Sequence, residues 1–110
     1  MVLGIAYKKN VDDQRESPSL TLIEMLQERG AEVSYHDPFV PKTHKMRDHD
    51  LQLESVELSE EYLQSMDAVL IATDHTDVDY DKVCKFSAWV VDTRNATQNY
   101  AGDRAHIHKA

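Results

Sequence analysis

Near its start the chain reads Leu3-Gly4-Ile5-Ala6-Tyr7-Lys8-Lys9-Asn10-Val11-Asp12-Asp13-Gln14-Arg15-Glu16-Ser17-Pro18. An apolar run typical of a β-strand gives way to polar residues, which end at a helix-start signal. In that signal Ser17 suits the N-cap and Pro18 suits the first helical position. Open α/β sheets bind ligands at such junctions, beyond the carboxyl ends of their strands. The stretch therefore predicts an α/β fold with a ligand site after its first strand.

The same change from apolar strand to polar residues recurs further along the chain. It is found where Val33-Ser34-Tyr35 meets His36-Asp37-Pro38, where 68–72 meets Thr73-Asp74-His75, and where Trp89-Val90-Val91 meets Asp92-Thr93-Arg94-Asn95. We expect these runs to deliver their polar groups to one rim of a sheet. The predicted fold is a single three-layer α/β domain, with a Rossmann-like, mostly parallel sheet and helices on both faces.

Composition limits the classes of partner. The chain has 110 residues and a formal net charge of -8, which argues against general affinity for nucleic acid or anionic lipid. Its longest apolar run, 68–72, is far shorter than the roughly 20 residues that span a bilayer. We expect a soluble, cytoplasmic protein with no nucleic-acid or membrane partner. A single cysteine, Cys84, agrees with a reducing compartment.

The periodicity of apolar residues predicts a βαβ unit at the start of the domain. Met1 stands directly before the first strand, so we expect a fragment of a longer protein. A helix is predicted over 18–29, ended by Gly30, and a second, parallel strand over 31–36.

The remaining elements follow from caps and apolar runs. The prediction is a loop with one short strand over 38–58, a helix from Ser59 to about Met66, a buried central strand over 68–72, a short helix over 80–86, a last strand over 88–92, and a tail after about residue 100 that is frayed over 105–110.

Two cations at predicted strand ends are the candidate ligand contacts. Lys8 follows the first strand, where it is placed to meet a phosphate or a carboxylate; for Lys9 a solvated surface position is the favoured interpretation. Arg94 follows the strand over 88–92, and its guanidinium suits two phosphate oxygens at once. The alternative for Arg94 is a salt bridge with Asp92 or Asp103.

The other polar clusters favour structural roles. Asp12, Asp13, Arg15 and Glu16 suit local pairing and helix capping, with substrate or subunit contact by Arg15 as the alternative. His36-Asp37 and Asp74-His75 suit turns and hydrogen bonds better than a metal site, because no cysteine pair or His-x-x-x-His helix accompanies them. We predict no metal site, place His106 and His108 in the tail, and expect Cys84 to be a buried apolar residue.

The glycines argue against a dinucleotide site. Gly4, Gly30 and Gly102 are the only ones, so neither a Gly-x-Gly-x-x-Gly turn nor a P-loop is present. No nicotinamide cofactor is assigned to these residues.

Taken together, the motifs resemble a known family. In order and spacing, four motifs resemble those of the C-terminal UDP-sugar-binding domain of the nucleotide-sugar 6-dehydrogenases. They are Gly4-Ile5-Ala6-Tyr7-Lys8-Lys9 through Arg15-Glu16-Ser17-Pro18, Tyr35-His36-Asp37-Pro38 with Pro41, Ala72-Thr73-Asp74-His75, and Val91-Asp92-Thr93-Arg94-Asn95. This family includes the UDP-glucose and GDP-mannose dehydrogenases. The resemblance covers nearly the whole chain, and the residues of the motifs are most similar to those of bacterial UDP-N-acetylglucosamine 6-dehydrogenases.

The resemblance implies a longer enzyme around this chain. Such enzymes add an N-terminal NAD-binding Rossmann domain and a helical linker that builds the dimer. They oxidise the C6 alcohol of a UDP-sugar to a carboxylate in two NAD-dependent steps, through a thiohemiacetal on a catalytic cysteine. That cysteine lies in an upstream glycine-rich motif, which does not surround Cys84. We therefore expect residues 1–110 to hold no catalytic residue, to bind no NAD, and to be inactive alone.

The resemblance also implies roles for single residues. Lys8 matches a lysine at the sugar end of the ligand, Tyr7 an aromatic position at the nucleotide, and Arg94 an arginine that engages the UDP-sugar. Arg15 and Glu16 match a structural loop.

Two alternatives belong to other classes of protein. In a receiver-like regulatory domain an aspartate takes up a phosphoryl group, but Asp12 and Asp13 come several residues too late after the first strand. A dimerisation or scaffold module predicts no nucleotide binding at all.

Overall fold

The computed structural model describes residues 1–6, 10, 18–43 and 52–110. In chain order the elements are β1 (Val2–Leu3), α1 (Pro18–Glu28), β2 (Tyr35–His36), α2 (Glu60–Ser65), β3 (Val69–Ile71), α3 (Tyr80–Phe86), β4 (Val90–Asp92) and β5 (Ile107–Lys109). The strands form one five-stranded sheet in the order β2-β1-β3-β4-β5, and every pairing is parallel. This confirms the predicted α/β class.

Helix α1 ends as the sequence predicts. Gly30 adopts a φ of 91°, the left-handed conformation that glycine allows. The N–H of Gly30 donates to the Gln27 carbonyl at 3.0 Å, and the N–H of Ala31 donates to the Leu26 carbonyl at 3.0 Å. These two bonds satisfy carbonyls that the helix leaves free at its end. The predicted range 18–29 is one residue longer than the helix.

Helices α2 and α3 begin at capping side chains. Ser59 Oγ accepts from the N–H of Tyr62 at 3.1 Å, and Asp79 Oδ1 accepts from the N–H of Lys82 at 3.1 Å. Each cap satisfies a backbone donor that the first helical turn leaves unpaired. Both helices lie where the sequence predicts them.

The core has two sides, separated by the sheet. On one side Leu63 of α2 and Val83 of α3 pack with β3, and on the other Leu20 and Ile23 of α1 pack with β1 and β2. The central position of β3, with helices on both faces of the sheet, confirms the predicted three-layer arrangement.

The C-terminal residues correct the prediction of a frayed tail. Ile107 pairs with Val90 and His108 with Val91, so 107–109 form an edge strand beyond β4. The Trp89 and His108 rings stack with centroids 3.9 Å apart, and His106 Nε2 hydrogen-bonds to the Cys84 carbonyl. The sequence does not reveal β5 because the strand is short, half-exposed and held by partners distant in the chain.

The segment between β2 and α2 also differs from the prediction of a short strand. Its described residues form only isolated bridges, between Tyr35 and Ser55 and between Lys42 and Glu54. Residues 44–51 lie outside the described part. Strand β2 itself is shorter than the predicted 31–36, although the N–H of Val2 extends the contact by donating to the Ser34 carbonyl.

Among the described helices, none combines the length and apolarity that a bilayer crossing needs.

Candidate functional site

The carboxyl ends of β1 to β4 meet at one edge of the sheet, which we call the rim. The rim comprises the described residues 4–6, 37, 72–76 and 93–97, together with Asn10. Parallel strands bring these segments together from distant parts of the chain. The sequence predicts polar groups at this edge, and the structure places them there.

Gly4 lets the chain leaving β1 approach the chain leaving β3. Its φ is 79°, and a Cβ added there would lie 2.5 Å from Thr73 Cβ. Thr73 then donates from Oγ1 to the Ala6 carbonyl at 2.9 Å. A residue with a side chain would therefore force the two segments apart.

Asp37 joins three strand ends through one buried carboxylate. Its Oδ2 accepts from the N–H groups of Ile5 at 2.9 Å and Ala6 at 3.1 Å, and lies 2.9 Å from His75 Nε2. Its Oδ1 accepts from the N–H of Phe39 at 2.8 Å, which forms the turn after β2. The favoured interpretation of Asp37 and His75, as turn and hydrogen-bonding residues, agrees with these contacts.

His75 is fully buried, and its contacts fix its tautomer. Nδ1 lies 2.7 Å from the N–H of Asn10, which can only donate, so Nδ1 is the acceptor. Nε2 therefore carries the proton and donates to Asp37. Asn10, at a φ of 61°, is tied to the same segment through its side chain. Its amide group donates to Thr76 Oγ1 at 2.8 Å and accepts from the N–H of Thr76 at 2.8 Å.

Tyr80 closes the side of the rim next to His75. Its hydroxyl donates to the His75 carbonyl at 3.0 Å. Burial raises the pKa of Tyr80, and the charges of Asp74, Asp92 and Asp37 raise it further. The phenol therefore stays protonated and remains a donor at physiological pH.

Asp92 organises the loop after β4. Oδ1 accepts from the N–H groups of Arg94 at 3.0 Å and Ala96 at 3.1 Å, and Oδ2 accepts from the N–H of Thr97 at 2.9 Å and from its hydroxyl at 2.7 Å. Burial acts to raise the pKa of this carboxyl, but the hydrogen bonds outweigh burial and hold it below its ordinary value. Asp92 is therefore ionised at neutral pH.

Arg94 is exposed and held at the end of β3. Its Nε donates to the Ala72 carbonyl at 3.0 Å. The carboxylates named in the alternative interpretation have other partners: Asp92 accepts the bonds given above, and Asp103 Oδ1 accepts from the N–H of Ala105 at 3.0 Å. The structure thus places Arg94 at the rim, where it is bound to Ala72, the residue before Thr73, which contacts Ala6.

The other candidate site residues fall outside the described part of the chain. These are Tyr7, Lys8, Lys9, Asp12, Asp13, Arg15 and Glu16. Their roles stay predictions, as does the convergence of Lys8 with Arg94. Cys84 is buried, as predicted, and burial raises the pKa of its thiol to about 11, so it is no thiolate at neutral pH. Across the described ranges, no group of three or more His, Cys, Asp or Glu residues is arranged to hold a metal ion.

Sequence reasoning placed Asp92 among the polar groups of the rim but gave it no role in shaping the loop, and it gave Gly4 and Asn10 no contact there. Asp92 had a readable signal, because an aspartate at a strand end followed by Thr97 is suited to accept from the backbone of a tight loop. Gly4 and Asn10 act through partners more than 60 positions away, Thr73 and His75, and no local pattern announces such contacts.

The molecule also has an open depression of about 510 Å³ beside α3. Acidic Glu60, Asp79 and Asp81 line it together with Lys82 and Lys85. Arg94 is not among its lining residues, and the acidic side chains disfavour an anionic ligand there.

The sheet order and the rim motifs lead to a family assignment. Residues 1–99 match the model of the UDP-glucose/GDP-mannose dehydrogenase family, UDP binding domain. The chain belongs to this family.

Relatives within the family carry different substrate names. The chain is 40% identical over 74 residues to the UDP-N-acetyl-D-mannosamine dehydrogenase of Pyrococcus horikoshii, a match covering 67% of this chain and 15% of that protein. It is 34% identical over 77 residues to the UDP-glucose 6-dehydrogenase YwqF of Bacillus subtilis, covering 70% of this chain and 17% of that protein.

Solved structures of the family share the fold. The UDP-N-acetyl-mannosamine dehydrogenase Cap5O from Staphylococcus aureus superposes with a TM-score of 0.70 and 26% identity, over 98% of this chain and 25% of that one. The UDP-D-ManNAc dehydrogenase from Pyrococcus horikoshii gives 0.67 and 29%, over 98% and 24%. The chain therefore spans about a quarter of these relatives' length, or less.

Proposed function

We propose that this domain binds the UDP part of a UDP-sugar at the rim and holds the sugar for oxidation by the rest of a dehydrogenase. The observation that supports this best is Arg94, an exposed guanidinium anchored at the rim of a UDP-binding family domain. Its anchor uses Nε, which leaves the terminal nitrogens as donors for an anion. In a chain of net charge -8, a local cation is what an anionic ligand requires.

Lys8 and Tyr7 complete the proposed contacts. Both lie in the sequence between Ala6 and Asn10, and the N–H groups of these two residues donate to Asp37 and His75 at the rim. Lys8 contacts the sugar end of the ligand and Tyr7 the nucleotide. The ligand class is a UDP-sugar. UDP-N-acetylglucosamine, UDP-N-acetylmannosamine and UDP-glucose share the UDP part, so these contacts do not choose among them.

We further propose that NAD binds to another domain of the parent enzyme. The glycine nearest to the rim does not form a phosphate cradle, because the space beside its α-carbon is filled by Thr73. Gly4 therefore gives no support for a dinucleotide site at the rim. The parent enzyme oxidises the sugar's C6 alcohol to a carboxylate, acts in the cytoplasm and assembles as a homo-oligomer.

Titration of residues 1–110 with UDP tests the binding proposal. We expect weak, saturable binding, with the NMR amide signals of Tyr7, Lys8 and Arg94 shifting first. Shifts confined to 105–110 would contradict the site, and a complete lack of shifts would favour a scaffold module.

Substituting Arg94 by glutamine should weaken UDP binding by at least about tenfold, because a charge-assisted hydrogen bond contributes about 1.5–3 kcal/mol. The matched control is Arg29→Gln, which removes the same charge at the far end of α1. Isothermal titration calorimetry measures both. Equal affinities for the two variants would show that Arg94 does not contact the ligand.

Residues 1–110 mixed with NAD and UDP-N-acetylglucosamine should form no NADH, since neither a cofactor site nor a catalytic cysteine is expected in them. Absorbance at the NADH band measures this. NADH formation above that of the buffer control would overturn the proposal that NAD binding and catalysis belong to another domain.

A further inference from the structure

We propose that Asp37, His75 and Asn10 are positioning residues that hold the chain on both sides of residues 7–9 and thereby set the affinity for UDP. This inference rests on the proposed function, because it gives Asp37 and His75 a role in binding without a contact to the ligand.

The network contacts described residues on either side of 7–9. On the β1 side, Asp37 accepts from the N–H groups of Ile5 and Ala6. On the α1 side, His75 accepts from the N–H of Asn10. The two anchors are joined directly by the 2.9 Å contact between His75 Nε2 and Asp37 Oδ2. Only three residues, Tyr7, Lys8 and Lys9, separate Ala6 from Asn10.

The proton position makes the two anchors depend on each other. Asp37 favours the His75 tautomer with the proton on Nε2, and only that neutral tautomer offers Nδ1 as an acceptor to Asn10. Both side chains are buried, with exposed fractions of 2% and 0%, so water does not replace a lost partner readily. A change at either residue therefore reaches both sides of 7–9.

The bonds of the network lie beyond the paired residues of β1. The pairing of β1 with β2 and β3 runs through Val2 and Leu3, before the chain reaches the residues that Asp37 holds. The bonds of Asp37 and His75 go to backbone that has already left the strand. Asn10 adds a second, exposed link, through its side chain to Thr76. The network thus holds Ile5, Ala6 and Asn10, the described residues that flank 7–9.

Two histidine variants separate positioning from general stability. In His75→Gln the side-chain amide can still donate to Asp37, but the acceptor for Asn10 is lost. We expect the UDP dissociation constant to rise about fivefold, in line with the loss of one buried hydrogen bond. The matched control is His36→Gln, which changes a side chain whose Nδ1 contacts the Val56 carbonyl and keeps the backbone bond from Gly4 to the carbonyl of residue 36. We expect this control to bind UDP as the wild type does, even where its melting temperature falls.

A second variant, His75→Asn, tests whether restoring the acceptor for Asn10 also restores UDP affinity. A purely structural role of His75 predicts no such recovery. In His75→Asn, the side-chain oxygen stands near the position of Nδ1 and can accept from Asn10. We expect this variant to bind UDP more tightly than His75→Gln. Long-range ¹H–¹⁵N spectra of the wild type should show His75 neutral, with its proton on Nε2.

The outcomes distinguish the two proposals. If the wild type gives no saturable UDP binding, the proposed function fails and this inference fails with it. If the wild type binds UDP but His75→Gln binds it as tightly as His36→Gln does, this inference alone fails. Should His75→Gln not fold, Asn10→Gly serves instead: glycine tolerates the φ of 61° and loses only the bonds to Thr76. It should weaken UDP binding about twofold, and unchanged affinity would overturn the inference.

Discussion

Replacing Gly4 by alanine is expected to destabilise the domain by about 2–5 kcal/mol. A φ of 79° costs a residue with a side chain about 1–2 kcal/mol, and the new Cβ would lie 2.5 Å from Thr73 Cβ. Overpacking in a tight interior adds about 1–3 kcal/mol. Thr73 cannot move aside without losing its bond to the Ala6 carbonyl. Urea denaturation followed by circular dichroism measures the loss.

Gly30→Ala is the matched control for this substitution. Gly30 has a φ of 91°, but no atom lies within 4 Å of the position where a Cβ would stand. The loss of stability in Gly30→Ala should therefore come from the backbone conformation alone and amount to about 1–2 kcal/mol. Equal losses for the two variants would show that the approach of the β1 and β3 segments to each other is unimportant. A larger loss for Gly4→Ala would support it.

The parts of the fold that the sequence predicts are those encoded by adjacent residues. Helix α1 carries its own stop signal in Gly30, and α2 is preceded directly by its predicted capping residue, Ser59. Strand β3 is a continuous apolar run, as expected for a strand covered on both faces. In each case the local sequence and the final packing favour the same structure.

Strand β5 could not be predicted in this way. Its residues Ile107, His108 and Lys109 have no apolar alternation, and what holds them is β4 and the Trp89 ring. An edge strand of this kind gains its stability from its neighbour, so its own sequence carries little signal.

The candidate site likewise has parts that adjacent residues predict and parts that depend on contacts between distant residues. Arg94 could be placed at the rim because it directly follows a predicted strand. The anchor that holds its side chain, the Ala72 carbonyl, lies 22 positions earlier, and Asp37 lies 38 positions before His75. Spacing along the sequence does not reveal contacts between strand ends. They follow from the strand order, which places β1 between β2 and β3.

Asp92→Asn should destabilise the domain by about 2–4 kcal/mol at neutral pH. The carboxylate accepts from three backbone N–H groups and from the Thr97 hydroxyl, and it is 1% exposed. In asparagine one oxygen becomes an NH₂ group that faces these donors, so buried N–H groups lose their acceptor. Urea denaturation at pH 7 measures the loss, with Asp103→Asn as the control, because exposed Asp103 accepts from the N–H of Ala105.

The difference in stability between the wild type and Asp92→Asn should depend on pH, and the pKa of Asp92 gives the direction of the change. The pKa of Asp92 in the folded domain lies below its ordinary value of about 3.9, so its contribution to stability is complete above that pH. The contribution is lost as the pH falls through the folded pKa. The stability gap between the wild type and Asp92→Asn should therefore be constant from pH 7 to about 5 and narrow below about 4. A gap that stays constant down to pH 2 would show that the ionised carboxylate is not what holds the loop. Because that loop carries Arg94, acid that protonates Asp92 should also weaken UDP binding.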